Sequence, residues 1–128
     1  MNDGRRASER IIERKEALAA SITAALYARD PALLERHGEV GRTRCHEDMR
    51  YNLEHLAPAV DLGDPSMFAR YVAWLDDLLR ARNVSTEDVA RSLEETDRAV
   101  RASFPQEEAE AVGECIRAGL ASLDRGEP

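Results

Sequence analysis

The stretch DPSMFARYVAWLDDLLRARN, residues 64–83, decides the fold that this sequence predicts. Asp64 is a favoured helix N-cap residue, Pro65 suits the first helical turn, and Asn83 tolerates the left-handed conformation that ends a helix. Between these signals the polar residues recur at helical spacing in one narrow stripe, and apolar residues cover the remaining arc. An arc this wide predicts a helix that is covered on more than one side. We therefore expect residues 64–83 to form the central helix of the fold.

Helical spacing of apolar residues continues on both sides of this segment. Pro58 falls in the last turn of one of these helices and predicts a kink there. No run alternates apolar and polar residues as a strand does. The sequence predicts an all-α, single-domain bundle of five or six helices over residues 1–128, with residues 1–6 and 124–128 disordered. The further helices are expected at residues 7–28, 31–37 (ended by Gly38), 40–60, 85–102 and 105–123.

Composition limits the classes of function. A net charge of −7 argues against nucleic-acid binding, because phosphate contacts require clustered Lys and Arg. No apolar run approaches the roughly 20 residues that span a membrane. Cys45 and Cys115 are isolated, and no signal-peptide pattern is present, so we expect a reduced, cytoplasmic setting.

The most polar helical face lies within residues 40–60. Two interpretations of it stay open: a solvated face with an i,i+4 ion pair, or the lining of a ligand pocket or second packing interface. The aromatic residues of segment 64–83 similarly fit either core packing or one wall of a cofactor pocket. If a ligand binds, we expect Tyr51, Asn52, His55 and Trp74 beside it. The polar face itself comprises Arg44, Asp48, Tyr51 and His55, with Asn52 next to them.

No recognisable catalytic or metal-binding motif is present. The sequence contains no HExxH, no paired Cys-x-x-Cys and no glycine-rich phosphate loop. His46 and His55 are nine residues apart and fall on opposite sides of a helix, so they do not share a metal. Cys45 lies on an apolar stripe, which predicts a buried, inert thiol. We expect a protein that is not an enzyme.

Half of the chain resembles the helical region found upstream of cobalamin-binding domains in bacterial regulators. The likeness lies in Arg50-Tyr51-x-Leu53-x-x-Leu56, Asp64-Pro65-x-x-Phe68-x-x-Tyr71-x-x-Trp74-Leu75 and Arg82-Asn83-Val84. In that family the helical bundle packs over a cofactor held by a following α/β domain. This sequence has no Asp-x-His-x-x-Gly cobalamin motif and no α/β domain. Its Glu54-His55 pair precedes Trp74, whereas light-sensing members have the Trp first, so those roles are not carried over.

The helix count and order are also similar to those of non-haem globin-like sensor domains of stress-signalling assemblies, an analogy at the level of fold. Two hypotheses follow. The first is a non-enzymatic sensor or regulatory module that acts as a homodimer or through a protein partner in a signalling pathway. The second is a sensor that binds a tetrapyrrole (cobalamin, haem or bilin) near Tyr51, His55 and Trp74.

Overall fold

The computed structural model describes residues 2–123, which form six α-helices and no strand. The helices pack into one bundle, which confirms the all-α prediction. Met1 and residues 124–128, where disorder was also expected, lie outside the described residues. The helices are α1 (Asp3–Glu13), α2 (Lys15–Arg29), α3 (Ala32–Leu62), α4 (Pro65–Arg80), α5 (Thr86–Ser103) and α6 (Gln106–Ala121).

Residues 3–6, for which the sequence predicted disorder, form the first turn of α1. The Asn2 side chain caps α1 by accepting a hydrogen bond from the Arg5 amide at 2.9 Å. Gly4 then lies against the backbone carbonyl of Val60 in α3, and a Cβ at that position would come within 2.5 Å of the carbonyl oxygen. The missing side chain at Gly4 is what allows this close approach.

Two helices stand where the sequence predicted one helix over residues 7–28. The chain bends at Arg14, whose φ of −104° and ψ of 14° lie outside the helical range. The Arg14 guanidinium donates to the backbone carbonyl of Ser103 at 3.1 Å. The bend lets α1 pack against α3 and α6 while α2 packs against α3 and α5. Arg10 fastens α1 to α6 through a two-point ion pair with the buried Glu108, at 2.7 and 3.2 Å.

Helix α3 joins the two segments that the sequence predicted on either side of Gly38. Gly38 has φ 67° and ψ −170°, a conformation open essentially to glycine alone, and it kinks α3 sharply. Helical backbone angles continue through Pro58 to Leu62, and Gly63 then ends α3 at φ 62°. The break predicted at Gly38 is therefore present as a kink, whereas the kink predicted at Pro58 stays a prediction.

Helix α4 begins and ends as predicted, but it is not the central helix. Asp64 and Pro65 start it, and Asn83 adopts φ 67° after its end. Its buried apolar residues follow one stripe, and the Trp74 side chain is 51 % exposed. The best-enclosed helices are α3, which packs against α1, α2, α4 and α6, and α6, which packs against α1, α3, α4 and α5.

Candidate functional site

Four helices enclose a pocket beside α2. Both α2 and α4 pack against α3 and α5, so the four helices form a closed ring. Helix α6 packs against α1, α3, α4 and α5 but not closely against α2. The core beside α2 is therefore left without a central helix. The remaining space, here named the interhelical pocket, has a volume of about 260 Å³.

The size of the interhelical pocket limits what it holds. Small-molecule sites usually measure roughly 300–1,000 Å³, and a cavity of ~150 Å³ holds benzene. By this comparison, the pocket suits an occupant of roughly ten non-hydrogen atoms. A whole tetrapyrrole is several times larger and does not fit inside it.

The wall of the interhelical pocket is mainly apolar. Each of the four helices turns its apolar stripe inward, and these stripes meet around the pocket because nothing else fills the space between them. An apolar wall favours an apolar group as occupant over water. The wall residues are Leu26, Leu33, Met49, Leu75, Leu79 and Val89.

Asn52 brings an unused hydrogen-bond donor to this wall. Its side chain is 6 % exposed and lines the interhelical pocket. The carboxamide oxygen accepts a hydrogen bond from the Tyr71 hydroxyl at 2.5 Å, which fixes the orientation of the amide. The Nδ2 group has no protein acceptor within residues 2–123. It is therefore available to a molecule that enters the pocket.

The kink at Gly38 shapes the mouth of the interhelical pocket. It folds the first turns of α3 toward α2, so that Leu33, His37 and Val40 all line the pocket. Gly41 follows the kink and lies directly against the Cβ of His37, where a side chain would collide. Both glycines are therefore required by the path of the chain around the pocket.

Most charged groups at the mouth already have partners. Arg29 contacts Glu95 at 3.1 Å and Glu94 at 3.4 Å. Asp30 pairs with Arg36, and Asp88 with Arg91, each at 3.3 Å. Two exposed arginines that line the pocket, Arg44 and Arg82, form no direct ion pair within the described part of the chain.

Asp48 is half-buried and lines the pocket together with these two arginines. Burial raises the pKa of its carboxyl, and the positive charges of Arg82 and Arg44 offset this effect only in part. No hydrogen bond or direct ion pair to Asp48 is present in the range that the structure covers. The pocket therefore carries two arginines and one carboxylate that are not committed to each other by direct contact.

The residues predicted to lie beside a ligand divide between two neighbouring places. Asn52 belongs to the interhelical pocket, whereas Tyr51, His55 and Trp74 lie outside it on the surface of α3 and α4. Tyr71, which the sequence pattern assigned to the apolar face, brings the surface residues together. Its ring stacks on His55 with centroids 4.2 Å apart and lies 5.9 Å from Trp74. We name Tyr51, His55, Tyr71 and Trp74 the aromatic cluster.

His55 is held firmly within the aromatic cluster. Its Nδ1 lies 3.1 Å from the backbone carbonyl of Tyr51, and because a carbonyl only accepts, Nδ1 carries the proton. Nε2 is then an acceptor or a ligand atom. Tyr51 also contacts the imidazole, with ring centroids 4.5 Å apart and the ring planes tilted by 55°.

The thiols and the other titratable groups give no further site. Cys115 is buried and Cys45 is partly buried, and burial raises the pKa of both, in the case of Cys115 to about 11. The Thr23 hydroxyl contacts the Cys45 thiol and offsets this rise in its pKa only partly. Among residues 2–123, no three His, Cys, Asp or Glu side chains are grouped closely enough to hold a metal ion.

Sequence reasoning missed the pocket because its parts are far apart in the chain. The polar stripe of α3 is divided by the structure: Arg44 and Asp48 line the interhelical pocket, while Tyr51 and His55 do not. Arg82 was treated only as part of a resemblance. The signal available in the sequence was the pair of glycines at positions 38 and 41. Two glycines this close together mark a disturbed helix, whereas a regular helix would have closed the space of the pocket.

Fold and site together define a six-helix bundle with an apolar pocket at one end and an aromatic cluster beside it. No protein-family model, curated protein or solved structure matches the chain. The resemblances to cobalamin-associated and globin-like sensor domains therefore stay predictions. No described helix is long and apolar enough to cross a membrane.

Proposed function

We propose that the protein is a non-enzymatic regulatory module that senses a small amphipathic molecule bound in the interhelical pocket. The observation that carries this proposal is the interhelical pocket itself, a space of about 260 Å³ with a mainly apolar wall to which Asn52 adds a polar amide. Such a combination of apolar wall and few polar groups is typical of small-molecule sites. The two unpaired cysteines support a reducing, cytoplasmic setting.

Asn52 also connects the pocket with the surface. An occupant of the pocket contacts the same amide that accepts from the Tyr71 hydroxyl, and Tyr71 stacks on His55 in the aromatic cluster. The exposed Trp74 and Tyr51 side chains supply the kind of aromatic surface that protein interfaces favour. We expect this surface to pass on the signal through a homodimer or a protein partner in a signalling pathway.

The proposal is tested by calorimetric titration of the protein with 1-octanol, which matches the pocket in size and carries one hydrogen-bond acceptor. We expect saturable binding of one molecule per chain. Leu79→Trp fills the pocket and should abolish the binding heat. Leu78→Trp is the matched control, because Leu78 is the adjacent leucine and does not line the pocket. Equal binding by both variants would contradict the proposal.

A tetrapyrrole sensor is the second candidate, and the geometry of His55 favours it. Imidazoles that bind metal usually donate their other nitrogen to a carbonyl or carboxylate, as Nδ1 of His55 does. Since the pocket is too small, the tetrapyrrole would lie on the aromatic cluster against Trp74. Absorption titrations with haemin, cobalamins and biliverdin test this. A shifted, saturable spectrum that His55→Ala removes is expected, and unchanged spectra with all three compounds would reject it.

A further inference from the structure

The apolar wall of the interhelical pocket favours a ligand with an apolar chain or ring. The charged residues at its mouth determine which charge the polar group of that ligand carries. Arg44 and Arg82 come from α3 and from the loop after α4, and both exert their charge on Asp48. The two guanidinium groups therefore lie around the same carboxylate without a direct ion pair to it. Guanidinium groups in this state are well suited to hold a second carboxylate through paired N–H donors.

The other charged residues at the mouth pair with one another, so Arg44 and Arg82 are the arginines available to a ligand. Arg29 is engaged by two glutamates, and Arg91 is engaged by Asp88. Asp30 caps the start of α3 through the Ala32 amide at 3.2 Å and pairs with Arg36. Among the uncommitted charged groups that line the pocket, Arg44 and Arg82 are positive and Asp48 is negative. Glu47 also acts on Asp48, but it does not line the pocket.

The net charge of the chain does not cancel this local excess. At physiological ionic strength, charges are screened over about 8 Å, so an approaching ligand responds mainly to groups at the mouth. A chain with a formal net charge of −7 therefore still presents a positive entrance at this one place. A cationic ligand would have only the half-buried Asp48 as partner and would lie beside two arginines of the same sign.

Resting on the proposed function, we infer that the occupant of the interhelical pocket is an amphipathic monocarboxylate. Its apolar chain lies along the wall residues, and its carboxylate lies at Arg44 and Arg82. The pocket volume of about 260 Å³ limits the chain to medium length or to one or two small rings.

Three ligands of equal length separate the ligand class from the proposed function. Octanoate, 1-octanol and n-octylamine are titrated into the full chain at neutral pH in the calorimeter. We expect octanoate to bind about tenfold more tightly than 1-octanol, and n-octylamine to bind most weakly. Equal affinity for octanoate and 1-octanol, or a preference for the amine, would overturn the inference while leaving the proposed function intact. Binding of none of the three would reject both.

Variants assign the effect to the named side chains. Arg44→Gln and Arg82→Gln should each bring the affinity for octanoate toward that for 1-octanol, so that the tenfold ratio between the two affinities falls toward one. Arg70→Gln removes the same charge from the exposed face of α4 outside the pocket and should leave both affinities unchanged. Asp48→Asn should strengthen octanoate binding, because it removes the one opposing carboxylate. Weaker octanoate binding by Asp48→Asn would overturn the inference that the ligand's polar group is negatively charged.

Discussion

Two glycines in α6 give opposite predictions for the same substitution. A Cβ at Gly119 would lie 2.9 Å from Cγ2 of Val72 and 3.1 Å from two ring carbons of Phe68, whereas carbon atoms prefer about 3.5–4.0 Å. Val72 and Phe68 are 0 % and 1 % exposed, so neither side chain has room to move away. A Cβ at Gly113 is crowded by the guanidinium end of Arg117 at 3.1 Å, which swings aside easily, and it meets Oδ1 of Asp97 at an ordinary 3.6 Å.

The magnitudes follow from two competing effects. Overpacking a core costs about 1–3 kcal/mol, and replacing Gly by Ala inside a helix gains about 1 kcal/mol. Gly119→Ala should therefore lower the free energy of unfolding by ~1 kcal/mol, while Gly113→Ala should raise it by up to ~1 kcal/mol. The helix propensity cancels between the two variants, so their difference isolates the contact of α6 with α4.

Urea denaturation of both variants, followed by circular dichroism, measures this difference. With a denaturant slope of about 1–3 kcal/mol per molar urea, the two midpoints should be separated by roughly 1 M. A Gly119→Ala protein as stable as Gly113→Ala would refute the close packing of α4 and α6 in the described fold.

Three further predictions concern the N-terminus, the buried carboxylate and the thiols. Gly4→Ala should force α1 away from the Val60 carbonyl, so amide exchange in the first turns of α1 should become faster; unchanged exchange would contradict the packing of residues 2–6. Burial raises the pKa of Asp48 above the ordinary value of 3.8, so its ionised form lowers the stability of the fold at higher pH. Asp48→Asn should therefore stabilise the protein at pH 7 and should give no gain once the pH falls well below 3.8. Thermal melts of the variant and the parent protein at both pH values test this. With the pKa of Cys115 raised to about 11 and that of Cys45 also raised, a thiol reagent at pH 8 should label both far more slowly in native protein than in urea; equal rates would show that the thiols are not buried.

Local signals in the sequence predicted most of the helix boundaries. Ser85 caps α5 by accepting from the Asp88 amide at 3.1 Å, Pro65 begins α4, and Gly63 ends α3, each as its residue type suggests. The bend at Arg14 has no such signal, because arginine is a good helix former and alanine-rich sequence continues beyond it. It arises from packing against α5 and α6, which depends on residues about 90 positions away.

The candidate site was only partly predictable for the same reason. Asn52, which the sequence predicted beside a ligand, lines the interhelical pocket, but its burial depends on Tyr71 and on the ring of four helices. Trp74 was expected to be covered, whereas no described helix packs over it, and it is half exposed. The period of a single helix shows which residues share a face, but it does not show which neighbouring helix is missing from that face.

The side-chain amide of Asn52 reports most directly on whether the interhelical pocket binds a ligand. Its two Nδ2 protons give resolved signals in a ¹⁵N-correlated NMR spectrum, and these can be followed while octanoate is added to the full chain. The account predicts a saturable shift of these signals that Leu79→Trp removes and Leu78→Trp preserves. An unshifted Asn52 amide at saturating octanoate, or a shift that persists in Leu79→Trp, would contradict it.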